Sequence, residues 1–268
     1  VAAAKLSRKL KLPMVMTARG SDVTQIAEMT KPRHMILNAA RVASHIITVS
    51  QSLKDKLVSK GADGSKITPL RNGVDLVKFT PVEGAKQKMA TTIGFDEGKP
   101  VIVFAGWLIP RKRVDIVIDV ISKHSDAIAI IIGDGPLRSE LEEQALKNNV
   151  IQRVFFIGQK KPDDMPLYFS AADILMLPSE REGWANVLLE AMACGAPVVS
   201  RAVDGACELV TTDQAGRLVD EHENADAYVD AVKSLLSKMP SRVDVRNYAK
   251  GFGWEETSRG QYEIFKQI

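Results

Sequence analysis

At 268 residues the chain can hold one large domain or two modest ones, with a sizeable core in either case. Its 45% hydrophobic and 26% charged content is that of a soluble globular protein. The 36 lysines and arginines against 33 acidic residues leave a formal +3, too mild to argue for nucleic acid, and no basic run with interleaved aromatics occurs.

Near the start, Lys5, Arg8, Lys9 and Lys11 cluster, which reads first as a solvated helix face; weak peripheral association with an anionic membrane is the alternative. Strand-like runs at Val15 to Ala18, Ile46 to Ser50 and Ile67 to Leu70 are separated by predicted helices over 25–41 and 52–60. Pro69 makes the third run an edge or irregular strand. The polar stretch from Pro81 to Pro100, with Gly84, Gly94 and Gly98 as further breakers, reads as the linker.

Beyond it, Val101 to Ala105, Ile128 to Ile132, Val154 to Ile157, Ile174 to Leu177 and Val198-Val199 are short continuous apolar runs, as expected of strands buried on both faces of a parallel sheet. Helices are predicted over 113–123, 136–148, 163–171 and 186–194, then a short strand at Arg217 to Val219 and a helix over 224–238. The sum is a doubly wound α/β domain, closed by a helix from Trp254 to Ile268.

No apolar run exceeds strand length, so neither a signal peptide nor a membrane span is visible. The chain opens on Val1 rather than Met, and an N-terminal portion is expected to precede it. Cys194 and Cys207 show neither metal-ligand spacing nor a disulfide framework, which fits a reducing cytoplasm. His34, His45, His124 and His222 form no triad or metal pattern and read as structural or surface residues.

The stretch from Glu182 to Val199 carries the chemistry. It reads as a loop with one carboxylate, a helix with a second, a stop at Gly195 and Pro197, and a buried strand. A helix start offers unpaired N–H groups to an anion, and carboxylates accept from hydroxyls. Glu182 and Glu190 beside such a helix end therefore suit a hydroxyl-rich phosphate ester, although acids near a helix start are also favoured by its dipole alone.

With Val49 to Lys54, Arg71 to Asp75 followed by Phe79 and Pro81, Ala105-Gly106 leading to Lys112, Gly133 to Pro136, and Phe156 to Gly158, this stretch resembles the signature of retaining family 4 glycosyltransferases (glycosyl transferases group 1), in which two glutamates stand eight positions apart. The resemblance implies an α/β fold of GT-B type, with two Rossmann-like domains of parallel sheets, the N-terminal one incomplete. The division would be 1–82 for the acceptor side, 83–250 for the nucleotide-sugar side, and 251–268 for a helix crossing back.

It also implies transfer of a hexose from a nucleoside diphosphate sugar to an acceptor hydroxyl with retention, without cofactor or metal. The setting would be polysaccharide or lipid-linked glycan assembly in the cytoplasm or at the inner face of the membrane. A sugar-nucleotide binding module without turnover is the other reading.

By the same resemblance Glu182 holds the donor sugar and Glu190 the ribose. Lys112 and the amides after Gly183, on Trp184, Ala185, Asn186 and Val187, hold the diphosphate. Gly133 permits close approach of the nucleotide. The family's arginine after Gly106 is Trp107 here and its glycine after Lys112 is Arg113, so that Arg111 or Arg113 would have to compensate; otherwise these are three solvated cations in a loop. Arg19, where many relatives carry a histidine, cannot act as a base but would attract an anionic group. Asp22 is the nearest carboxylate, or else a turn residue.

Overall fold

The computed structural model describes residues 1–220 and 224–268, so His222 lies outside the described residues. The chain forms two compact units: Val1–Gly73 with Glu182–Ala185 and Trp254–Ile268, and Val74–Arg181 with Asn186–Gly253.

The first unit begins with α1 (Ala2–Leu10), β1 (Val15–Ala18), α2 (Ser21–Thr24), α3 (Thr30–Val42), β2 (His45–Thr48), α4 (Gln51–Ser59) and β3 (Ile67–Pro69). The three strands are parallel in the order β1-β2-β3, with Val15 opposite His45 and Ile46 opposite Ile67. Pro69 accordingly sits on an edge strand, where a missing N–H is tolerated.

The single helix predicted over 25–41 is instead a 3₁₀ turn at Ile26–Glu28 followed by α3, and the short α2 stands ahead of it. Pro32 has no N–H to give and fits only the first turn of a helix, and Met29 just before α3 is extended. In α4, Ser50 caps the start by accepting from the Leu53 N–H at 3.3 Å, and Leu53 and Leu57, one turn apart, are buried.

The second unit holds α5 (Ala85–Ile93), β4 (Val101–Ala105), α6 (Val114–Lys123), β5 (Ile128–Ile132), α7 (Arg138–Lys147), β6 (Val154–Gly158), α8 (Met165–Ala171), β7 (Ile174–Leu177), α9 (Asn186–Ala193), β8 (Val198–Arg201), α10 (Asp204–Cys207), β9 (Gly216–Val219), α11 (Ala225–Ser237) and α12 (Arg242–Lys250). Its six strands are all parallel, in the order β6-β5-β4-β7-β8-β9.

Every residue of β4, β5 and β7 is buried, as strands covered on both faces must be. The stretch read as a linker carries α5, whose Ala85 and Met89 pack with Ala171. Helix α7 starts at Arg138, so Pro136 belongs to the turn before it rather than to the first helical position. Helix α13 (Glu255–Gln267) belongs to the first unit. There Arg71 pairs with Glu256 at 2.9 Å, and the Thr257 hydroxyl donates to the Arg71 carbonyl at 2.5 Å.

Candidate active site

The strand order of the second unit locates its site. The chain builds outward from β4 to β5 and β6, then returns to lay β7 on the other side of β4. The loops leaving the C-terminal ends of β4 and β7 therefore diverge, and the crevice so opened is where open α/β sheets bind ligands.

One side of this crevice is the loop from Gly106 to Arg113. Lys112 folds back over the strand end, its Cε 3.8 Å from where a Cβ on Gly106 would lie. Arg111 anchors the neighbouring loop: its carbonyl accepts from the Glu180 N–H at 2.9 Å, and its guanidinium donates to the Arg181 carbonyl at 3.2 Å. Arg113 turns away, its guanidinium on both carboxylate oxygens of Asp115 at 3.0–3.2 Å. Of the two arginines weighed as substitutes for the family's, Arg113 is thus committed to an ion pair and Arg111 to the backbone that leads into Glu182.

The loops after β4, β5 and β6 are stitched together. Gly106 N–H donates to Ile132, Leu108 N–H to Asp134 and Gly133 N–H to Gly158, at 2.9, 2.9 and 3.0 Å. Gly133 has φ +132°, and a Cβ there would lie 1.9 Å from the Gly106 carbonyl oxygen. Only glycine fits. Between these loops lies a cavity of about 180 Å³ lined by Gly106, Trp107, Gly133, Asp134, Lys160 and Met165, with Trp107 66% exposed.

Across the crevice, α9 carries Asn186 and Val187 in its first turn and Glu190 in its middle, and it ends ahead of Gly195 and Pro197. Glu190 is half-buried. Burial pushes its carboxyl above the usual carboxylate range, and the positive charge of Lys78 pulls it partly back. Lys78 also pairs with Asp163 at 2.7 Å. Sequence reasoning missed Lys78, although it lies between Asp75 and Phe79, which were singled out.

In the first unit, Glu182–Ala185 gather with the loop after β1. A Cβ on Gly183 would stand 2.4 Å from the Arg19 carbonyl oxygen. Asp22 serves the turn: its Oδ1 accepts from the Gly20 and Arg19 N–H groups at 2.8 and 3.2 Å. Arg19 is exposed and Glu182 half-buried. Trp184 is 8% exposed, and its indole N–H finds no acceptor among the described residues.

Of the expected residues, Arg19, Asp22, Glu182, Gly183, Trp184 and Ala185 thus fall together in the first unit, and Arg111, Lys112, Gly133, Asn186, Val187 and Glu190 in the second. Among the described residues no group of three or more His, Cys, Asp or Glu could hold a metal ion, and no helix is long and apolar enough to cross a membrane. His34 Nδ1 lies 2.8 Å from the Thr30 carbonyl and His45 Nε2 2.9 Å from the Thr68 hydroxyl, so both serve local structure.

Residues 85–252 match the family model described as glycosyl transferases group 1. The chain is 28% identical over 269 residues to an uncharacterised glycosyltransferase of Methanocaldococcus jannaschii, covering 99% of this chain and 71% of that one. It is 30% identical over 266 residues to the D-inositol 3-phosphate glycosyltransferase of Rhodococcus opacus (93% and 58%). With the D-inositol 3-phosphate glycosyltransferase of a Mycobacterium species it shares 33% over 211 residues (75% and 46%). It therefore spans only about half the length of several curated relatives that it matches.

Among solved structures, HepE of Anabaena in complex with UDP and glucose superposes with a TM-score of 0.89 at 22% identity, covering 99% of this chain and 74% of that one. Sucrose-phosphate synthase from Thermosynechococcus elongatus gives 0.83 at 22% identity (99% and 71%). The fold is that of the GT-B glycosyltransferases, as expected.

Proposed function

The chain belongs to the glycosyl transferases group 1 family, and on that premise we propose that it moves a hexose from a nucleoside diphosphate sugar to an acceptor hydroxyl, with retention and without a metal. What supports this reading is the topology: the loop bearing Lys112 follows β4 and the helix bearing Glu190 comes after β7, the two neighbouring strands between which the chain reverses its direction of growth. A lysine point charge suits a diphosphate, the first turn of α9 adds N–H groups, and a carboxylate suits ribose hydroxyls.

In this reading Lys112 and the amides from Trp184 to Val187 neutralise the charge that grows on the leaving diphosphate, the largest electrostatic contribution to such a reaction. Glu182 holds the sugar. The bond from the anomeric carbon to the phosphate oxygen breaks, the acceptor oxygen attacks from the same face, and the departing phosphate takes the acceptor's proton. No protein base is then required. The cavity beside Trp107 and Gly133 takes the base, and exposed Arg19 attracts an anionic acceptor, in keeping with relatives named for D-inositol 3-phosphate. The setting that goes with this reading is polysaccharide or lipid-linked glycan assembly, in the cytoplasm or at the inner face of the membrane.

Trp107, standing where the family has an arginine, favours a second reading: a module that binds the sugar nucleotide without turnover. Screening nucleotide sugars against the full-length protein for thermal stabilisation, then for acceptor-dependent release of nucleotide, separates the two. Stabilisation with release supports the enzyme, stabilisation alone the module, and neither overturns both.

A further inference from the structure

Arg246 lies on α12, in a stretch to which the sequence assigns no chemistry, and its half-buried guanidinium works on backbone alone. Nη1 donates to the Phe79 carbonyl at 2.8 Å and also to the Ala193 carbonyl, and Nη2 donates to the Leu76 carbonyl at 3.1 Å. Leu76 and Phe79 bracket Lys78, and Ala193 closes the last turn of α9, one turn beyond Glu190. The carbonyls of a last helical turn have no partner within the helix, and a planar guanidinium with five N–H donors can serve several acceptors at once.

The loop under this clamp is short and tightly wound. Asp75 Oδ1 accepts from the Val77 and Lys78 N–H groups at 3.0 and 2.9 Å, and the Phe79 ring lies 6.2 Å from that of Phe169. Lys78 thus leaves a fixed backbone, its amine paired with Asp163 at 2.7 Å and its charge drawing the Glu190 carboxyl down. Glu190 needs this neighbour: a carboxylate in a half-buried position is costly unless an opposite charge stands near it.

We propose that Arg246 is a positioning residue of the nucleotide site, tying the Leu76–Phe79 loop to the end of α9 so that Lys78 stands opposite Glu190 and the carboxylate meets the ribose in one fixed direction. This rests on the reading of Glu190 as the ribose acceptor given above. Arg246 touches no substrate; it acts through Lys78 and Glu190.

The test compares calorimetric affinities of the full-length protein for UDP and 2′,3′-dideoxy-UDP, or the GDP pair if UDP does not bind. Wild type is expected to prefer the complete ribose by about tenfold or more, since a carboxylate accepting from its hydroxyls is a charged acceptor. Arg246→Met is expected to abolish that preference, weakening UDP while leaving the dideoxy nucleotide within about twofold. Lys78→Met, which leaves the clamp in place, is expected to do the same and stands in if Arg246→Met does not fold. Equal weakening of both nucleotides, or retention of the preference, overturns the proposal and marks Arg246 as merely structural. A wild type without any preference, or a Glu190→Gln variant that keeps it, overturns the ribose reading itself and the proposal with it.

Discussion

Gly20 and Gly183 meet backbone to backbone. A Cβ built on Gly183 would fall 2.7 Å from Gly20 Cα and 2.4 Å from the Arg19 carbonyl oxygen, and one built on Gly20 would fall 3.3 Å from Gly183 Cα. Gly20 also has φ +146°, a region that side-chain-bearing residues avoid. The segment carrying Glu182 is therefore seated against the loop carrying Arg19, with glycine required on both sides.

Gly183→Ala must push the two loops apart, since backbone cannot give way as a side-chain end can. We expect a stability loss of about 1–3 kcal/mol and, with Glu182 displaced, a fall in kcat/KM of about 100-fold. Steady-state kinetics on the full-length variant check this, and wild-type turnover would contradict the seating.

Burial raises the Glu190 carboxyl above its ordinary value of 4.5, with Lys78 opposing. The folded protein thus binds this proton more tightly than the unfolded chain. The resulting stabilisation is complete below the unfolded value and is lost as pH rises through the raised folded value. Above the unfolded value Glu190 therefore weighs increasingly against folding, so Glu190→Gln should raise Tm at pH 7–8 and leave it unchanged near pH 4. Each kcal/mol gained would appear as about 2–4 °C in a chain of this size. The same variant should lose most of the stabilisation that a nucleoside diphosphate gives the wild type. Thermal melts at the two pH values, with and without nucleotide, check both halves.

Arg113 holds φ +50° and ψ +47° at the start of α6, where the resembled family has glycine. Arg113→Gly removes the backbone strain but also the half-exposed pair with Asp115 and adds freedom to the unfolded chain, terms of about 1 kcal/mol each. Stability should stay within about 1 kcal/mol, whereas a β-branched residue, Arg113→Val, should cost about 1–3 kcal/mol. Urea melts of both variants check this contrast.

The two thiols should react unequally. Cys194 is buried and its thiol is pushed up to about 12, burial outweighing a hydrogen bond from Ser170, whereas Cys207 is exposed and raised chiefly by partial burial. Alkylation of the native protein at pH 8 should modify Cys207 first and reach Cys194 only on unfolding. Peptide mapping distinguishes them, and early labelling of Cys194 would contradict its burial.

Much of the second unit is legible because strands buried on both faces read as uninterrupted apolar runs: Val101 to Ala105 and Ile128 to Ile132 coincide with β4 and β5 residue for residue. Helix α5 hid behind the prolines and glycines that flank it, and its apolar stripe of Ala85, Met89 and Ala90 is thin. Asp22 could be read as turn or ligand, and only the Gly20 and Arg19 N–H groups on its carboxylate distinguish them. The clamp by Arg246 leaves no trace in sequence, because its acceptors are carbonyls that every residue carries. Lys78 had a signal, its place beside Phe79 in a motif already noted, but its meaning lies in a helix far along the chain.

The central claim is tested most directly by the configuration of the product. With the full-length protein, an α-linked nucleoside diphosphate hexose found by the stabilisation screen, and a hydroxyl acceptor, proton NMR of the first turnovers reads the new anomeric centre. The account predicts an α-linked product and its loss on Lys112→Ala. A β-linked product, or undiminished transfer by that variant, would contradict it.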